Sequence, residues 1–323
     1  MPDVDIGEIA ATTLINRSAQ VADNVTENNA LLTALKKSKG FKPVDGGDFI
    51  GQELMYPGNA TFAWFNGFQN LDIRPSRVLT RADYDFKFAA VAVAMAETER
   101  ARNAGRSQVI SLYSSRIDEA LAEMSNQIDV GMYSDGMGNG GLQIDGLSQF
   151  VSVTPASGVV GGIDASLEDN AWWRNQVMTA DLTEENIDAE LNKLWIAMMR
   201  NQEMPDLLVS DPQNYGLYWN SLEGRRRFAP DAMTKGGTKG IMFNEAVMVM
   251  GGGIGQHAPA KRTYFLTTKY LCYRPHRRYN IRPLPPKSVH NQLATITMIM
   301  WGGNMTVRNR NLQGVLIGTQ ADA

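Results

Sequence analysis

RSQVISLYSSRIDEALAEMSNQIDVGMY, residues 106–133, decides how the rest of the chain is read. Its apolar residues fall at Val109, Ile110, Tyr113, Ile117, Leu121, Met124, Ile128 and Met132, mostly three or four apart. That spacing lines one face of an α-helix. Tyr113, Ile117, Leu121, Met124 and Ile128 are its expected core face. Ser107 is placed to cap the first turn through its hydroxyl. Gly131, and then Ser134-Asp135-Gly136, supply a stop and a turn. At 1.5 Å per residue the rod is roughly 42 Å long, well beyond the average globular helix of about 12 residues. The opposite face carries Arg106, Ser115, Arg116, Asp118, Glu119 and Glu123. Such a rod is either the strut of one domain or an arm between chains.

Upstream of the rod the chain changes character twice. Residues 1–45 carry two short apolar patches, Ile6 to Ile15 and Ala30 to Leu35, separated by an Asn- and Thr-containing run. This is too little apolar surface to fold alone. It reads either as a frayed terminus or as an arm that orders against a neighbouring subunit. Residues 46–98 open on Gly46-Gly47, turn at Tyr56-Pro57-Gly58-Asn59, and carry Phe62, Trp64, Phe65 and Phe68 close together. Tyr84, Phe86 and Phe88 then alternate with Asp85 and Lys87, a two-residue period that predicts a strand. The region reads as a long two-stranded excursion bearing aromatics. A lone ribbon is marginal in water, so it needs a surface to lie on, its own domain or a neighbour.

Downstream, residues 136–180 are rich in Gly, Ser and Asn. Thr183-Glu184-Glu185 predicts a helix start, with Ile187, Leu191, Leu194, Trp195 and Met198 on its apolar face. Residues 206–212, DLLVSDP, read as a short buried strand and a turn into a further helix. The stretches GIMFNEAVMVM, KRTYFLTTKYLCYRPH, LATITMIMWGGNMTV and LQGVLIGT read as strands, rich in β-branched and aromatic residues. The alternation of strands and helices predicts a mixed α/β layer.

Composition excludes several function classes. The net charge of −3 over 323 residues gives no global nucleic-acid signature. One cysteine, Cys272, permits neither an internal disulfide nor a multi-cysteine zinc site. His257, His276 and His290 form no H-E-x-x-H pattern and have no acid beside them in sequence, so polar contacts or surface positions are expected of them. Met250-Gly251-Gly252-Gly253-Ile254-Gly255-Gln256 follows a strand, but a dinucleotide fingerprint would need a third glycine at Gln256 and an acid about 20 residues on. Pro259 would also interrupt the required helix. A turn is the simpler account. No cofactor, metal or catalytic residue is expected. No apolar run reaches the ~18 residues of a membrane span. The start, MPDVDIGEIA, lacks the basic and apolar runs of a secretory signal, so a cytoplasm-like folding compartment is expected. One charge feature stands out: from Ala246 to Ala321 there is no Asp or Glu, while Lys261, Arg262, Lys269, Arg274, Arg277, Arg278, Arg282, Lys287, Arg308 and Arg310 lie there. It reads as contact with polyanion or, preferred here, with acidic surface of a neighbouring subunit, such as Asp118, Glu119 and Glu123 meeting Arg277 and Arg278.

In order along the chain, EIAATTLINRSAQVADNVTENNALLTALKKSKGFKPVDGGDFI, FNGFQNLDI, AETERARNAG, GGIDASLEDNAWWRN, DLLVSDPQNYGLY with RRRF, TYFLTTKYLCYRPH and WGGNMTVRNRNLQGVL resemble the major capsid proteins of tailed bacteriophages of the Hong Kong 97 fold. The resemblance spans nearly the whole chain. It implies an α+β fold: an N-terminal arm (1–49), an extended E-loop lying on a neighbour (50–98), a peripheral domain with a long spine helix (99–139), an axial domain (140–260), and return strands completing both (261–323). It implies a non-enzymatic subunit that self-assembles as pentamers and hexamers into an icosahedral head around double-stranded DNA, with portal, scaffolding or decoration proteins as partners. An encapsulin-like compartment is the alternative within the same fold, and a nucleotide-using α/β enzyme the alternative outside it. Some members join Lys to Asn covalently. Lys87, Asn304, Asn309 and Asn311 are present, but no spacing links them and the bond is not predicted.

Overall fold

A computed structural model describes residues 27–56, 61–70, 78–102, 112–222, 240–288, 290 and 292–319. The chain enters through helix α1 (Ala30–Lys37), whose Leu31, Leu32 and Leu35 are buried. Strands β1 (Phe49–Met55) and β2 (Leu79–Asp85) pair antiparallel, from Phe49 opposite Asp85 to Met55 opposite Leu79. β3 (Lys87–Ala96) follows after a break at Phe86, then a short helix α2 (Glu97–Arg102). The long helix α3 covers Leu112–Tyr133. Residues 106–111, with the expected cap Ser107, lie outside the described residues. A one-turn helix α4 (Leu147–Phe150) and the small hairpin of β4 (Val159–Val160) and β5 (Ile163–Asp164) lead into the second half.

That half builds a six-stranded mixed sheet. Its strands are β6 (Gln176–Ala180), β7 (Leu207–Ser210), β8 (Ile241–Phe243), β9 (Ala246–Met250), β10 (Arg262–Leu266) and a late strand β15 (Gly314–Gly318), in the spatial order β6-β15-β10-β7-β9-β8. Helices α5 (Ile187–Met198) and α6 (Pro212–Ser221) cover one face. Leu208, Met248, Phe265 and Leu316 point to them, packed with Leu191, Leu194 and Trp195. Leu207, Val209, Val247, Val249, Tyr264 and Val315 point the other way and join the main core with α3. The strict alternation of neighbours between two cores explains why β7 reads as an unbroken apolar run: both faces are covered.

The second sheet forms around β14 (Ala294–Val307), a 14-residue strand. β11 (Leu271–Pro275), β12 (Arg282–Pro283), β13 (Lys287–Ser288) and β3 all pair with it antiparallel. Strands after residue 260 therefore feed both sheets: β10 and β15 join the six-stranded one, and β11 to β14 the other. Gly303 marks the β11 crossing, at φ +151°, where a Cβ would stand 2.5 Å from the Arg274 carbonyl oxygen.

Several sequence expectations need correction. Within α3, Met124, Ile128 and Met132 are buried, but Ile117 and Leu121 are only half-buried, and Tyr113 packs on a small separate cluster of Met95 and Leu112. Near the start of the helix Tyr113 Oη and Thr297 Oγ1 of β14 meet at 2.7 Å, and Ile117 and Leu121 pack against the main core without being enclosed by it. The second half is enclosed by α1, α4 and the main core. Gly131 is not a stop but an interior position, where a Cβ would lie 2.5 Å from Ile144 Cγ2. The helix ends one turn later, where Ser134 Oγ donates to the Gly131 carbonyl at 2.7 Å. Thr183 is not the cap of α5: Asn186 holds that place, and its Oδ1 accepts from the Thr183 amide at 2.8 Å. The Ala30–Leu35 patch of the arm is not frayed, since α1 buries it in its own chain. At the base of the ribbon, Ile50, Leu54, Ala82 and Tyr84 are buried too.

Candidate assembly surface and arm junction

The aromatic stretch occupies the far side of that ribbon. Residues 62–66 form no strand, and a turn follows in which the Gln69 amide donates to the Asn66 carbonyl at 2.9 Å. Phe62 is 73% exposed, Trp64 90%, Phe65 64% and Phe68 106%. Phe62 and Trp64 touch edge to face, 5.5 Å apart, which still leaves most of both rings in water. Four large rings within seven positions make a contiguous apolar feature of the kind that marks an interaction site. The ribbon base is anchored and the rings have no cover.

The expected charge partners are not brought together within the chain. Asp118 and Glu119 are exposed on α3, and Glu123 accepts from Gln127 Nε2 at 2.8 Å. Arg277 instead pairs with Asp45 at 3.1 Å, and the Arg278 amide donates to His276 Nδ1. Lys269 pairs with Glu203 at 2.7 Å. Glu203 also accepts from Arg200 and the Tyr270 hydroxyl, and these donors, Lys269 first, pull its carboxyl down to about 2. Arg310, counted above among the basic tract, is not a surface cation. It is fully buried, with Nε donating to the Phe150 carbonyl at 2.8 Å and Nη2 to Asn175 Oδ1 at 3.2 Å. Burial lowers it to about 10.

Asn304 is buried and committed: Nδ2 donates to the Asp85 carbonyl and to Asp145 Oδ2, both at 2.8 Å, and Oδ1 accepts from the Asp145 amide. Lys87 Nζ reaches the Gly141 carbonyl at 2.5 Å.

The glycine run is the seat of the arm. The Gly251 amide donates to the Ser210 carbonyl at 2.8 Å, ending β9 in a turn. Asn28 Nδ2 donates to the carbonyls of Met250 and Gly252, at 2.9 and 2.5 Å. At Gly255, φ +71°, a Cβ would stand 2.4 Å from a Glu27 carboxylate oxygen. A nucleotide reading therefore fails here, because the arm fills the space before the turn.

Sequence analysis missed the polar side of α3. Asn126 and Asp129 are buried. Asn126 Oδ1 accepts from the Glu27 amide and from Asn29 Nδ2, and Asp129 Oδ1 accepts from the Leu32 amide at 2.8 Å. The cap position of α1, Asn29, makes no side-chain cap bond of its own. Asp129 thus caps α1 from another helix and places a negative charge at its N-terminus, where one is favourable. His257 lies between Asp129 and Glu27, a position its lack of acidic sequence neighbours did not reveal. Its Nδ1 is 2.8 Å from Asp129 Oδ2 and its Nε2 2.6 Å from Glu27 Oε2. The only chemical signal in the sequence was two polar residues, Asn126 and Asp129, flanking an apolar Ile128.

Among the described residues no group of three or more His, Cys, Asp or Glu is arranged to hold a metal, and no helix is long and apolar enough to cross a membrane.

No family model matches the sequence, and no curated protein does. Solved structures do. The Cyanophage A-1(L) capsid asymmetric unit superposes with a TM-score of 0.65 at 13% identity, over 94% of this chain and 96% of that one. The fold is the Hong Kong 97 shell fold. A Gordonia phage Cozz structure shares it at TM-score 0.60 and 14% identity, covering 96% of this chain and 92% of that one. The holo-SrpI encapsulin complex from Synechococcus elongatus PCC 7942 shares it at TM-score 0.60 and 10% identity, covering 100% and 99%.

Proposed function

We propose that this chain is a structural capsid subunit, which self-assembles as pentamers and hexamers into the icosahedral head of a tailed phage. The observation that supports it most is the uncovered aromatic loop, carried by an anchored ribbon on a fold shared end to end with shell proteins. A monomer gains nothing by holding Trp64 and Phe68 in water. A lattice gains from it, because each loop placed on a neighbour removes apolar surface from solvent at roughly 25 cal/mol per Å². Contacts that run from one patch to a different patch close into rings, which is what pentamers and hexamers require. Asp118, Glu119 and Glu123 on the spine, and the exposed Arg278 between β11 and β12, are the charges assigned to contacts between subunits.

In this role the subunit works by geometry rather than catalysis, in the virion after assembly in the host bacterial cytoplasm. It encloses double-stranded DNA by non-specific contact and meets portal, scaffolding or decoration proteins. A compartment shell is the second reading, favoured by the end-to-end fit to the encapsulin structure. Sedimentation velocity and negative-stain imaging of the purified chain test the proposal. Closed shells are expected, and nucleic acid rather than protein cargo in particles recovered from infected cells. A monomer stabilised by nucleotide would overturn both shell readings.

A further inference from the structure

The contact among Glu27, His257 and Asp129 has a chemistry that the shell fold does not call for. A neutral imidazole has one N–H and one bare nitrogen. Here both ring nitrogens face carboxylate oxygens, at 2.8 and 2.6 Å, and the side chain is 5% exposed. Two acceptors at hydrogen-bond distance are satisfied together only when both nitrogens carry protons, which makes the ring a cation. The three residues come from three separate parts of the chain: the arm, the spine helix, and the loop after β9. The same junction carries the backbone bonds that fasten the arm, from the Glu27 amide to Asn126, the Asn28 amide to the Ile254 carbonyl, and the Leu32 amide to Asp129.

We propose that Glu27, His257 and Asp129 form a proton-operated latch that holds the N-terminal arm to the body of the subunit, closed while the imidazole is protonated and open once it is not. This holds whether or not the chain builds a shell. Loss of the proton leaves a ring lone pair against one carboxylate. Asp129 cannot yield, since it is 1% exposed and still caps α1 through the Leu32 amide. Glu27 can, since its side chain is 36% exposed. The arm therefore opens at residues 27–29, while α1 stays held through the Leu32 amide.

The surrounding charges agree with this direction. The hydrogen bond to Asp129, and then the one to Glu27, raise the His257 pKa above its ordinary value against the opposing effect of burial. On the arm, Lys36 also lies within electrostatic reach of Asp129, but burial lowers its own pKa. On the spine, Tyr133 faces Asp129, and from β10 Tyr264 faces Tyr133; the phenol of Tyr133 is pushed up and stays neutral. With a folded-state pKa above the unfolded one, the latch contribution is complete below the ordinary histidine range and is lost as pH rises through the raised value.

The test is amide hydrogen exchange of the full chain at a series of values from about pH 6 to about pH 9, bracketing the histidine range and corrected for intrinsic exchange. Protection at residues 27–29 is expected to fall on the order of tenfold as pH rises, the scale of one charge-assisted hydrogen bond. Amides of β7 serve as the unchanging reference. Glu27→Gln is expected to fold normally and to flatten that profile, and His257→Gln to do the same. Constant protection of residues 27–29 in the unaltered chain would overturn the latch, as would a full tenfold fall retained in Glu27→Gln. If His257→Gln does not fold, Glu27→Gln alone decides, because its side chain lies at the edge of the junction.

Discussion

Replacing Phe62, Trp64, Phe65 and Phe68 together by serine separates the two jobs of the ribbon. The rings are 64 to 106% exposed, so the folded subunit loses almost no burial when they go. Surface changes of this kind stay within about 0.5 kcal/mol each, about 2 kcal/mol for all four, and the melting temperature should move by no more than about 4 °C. Assembly is another matter. Burying one such side chain at a neighbour is worth about 2 kcal/mol, or roughly 30-fold in the constant for that contact, since 1.4 kcal/mol is tenfold. Four rings give on the order of 8 kcal/mol before the loop pays its ordering entropy. A shell repeats that loss at every subunit, so the quadruple variant should stay monomeric or as small oligomers at concentrations where the parent forms particles. Circular dichroism melting and negative-stain imaging of the same samples read both effects. Normal shells from the quadruple variant would refute the role of the loop. So would a large fall in melting temperature, which would show that the rings belong to the subunit core.

Other outcomes follow from the interior. Ile128→Ala should cost about 2–5 kcal/mol in urea unfolding, and Ile117→Ala clearly less, because only the second half of the spine is enclosed. Tyr273→Phe removes the acceptor of Trp301 Nε1, which now meets the Tyr273 hydroxyl at 2.7 Å in a stacked pair. A buried donor left alone costs about 1–3 kcal/mol, measurable by chemical denaturation. Glu203 contributes stability that is present above its unfolded value of 4.5 and lost as pH falls towards about 2. Glu203→Gln should therefore flatten the urea midpoint between about pH 4.5 and about pH 2, the unfolded and folded values of the carboxyl.

Much of the framework was legible in local pattern. The 3.6-residue period placed the spine helix, and the apolar face of α5 appears as read, with Ile187, Leu191, Leu194, Trp195 and Met198 buried. DLLVSDP appears as read, a buried strand and a turn into α6, and Asp211 is found to cap that helix through the Asn214 amide. The alternation through Tyr84, Phe86 and Phe88 was read as one strand, but the chain breaks at Phe86 and changes sheets. Tyr84 is therefore buried and Phe88 is 57% exposed. The inward face passes from even positions in β2 to odd positions in β3, and the aromatic alternation runs across the break without showing it.

The spine stretch shows where local pattern ends. Its sequence determined by itself that a long amphipathic helix would form, because side-chain direction in a helix follows from spacing alone. How deep each position sits was decided by what lies across from it: partial cover from the main core at Ile117, full enclosure at Ile128. Nothing in the spacing singles out Asp129. The fold buries it, sets it at the start of α1, and brings to it His257, 128 residues away, and through that ring Glu27, 230 residues from His257. No window of sequence holds those three together. Only closure of the chain puts two carboxylates and one imidazole within hydrogen-bond distance, and only burial makes their protons matter.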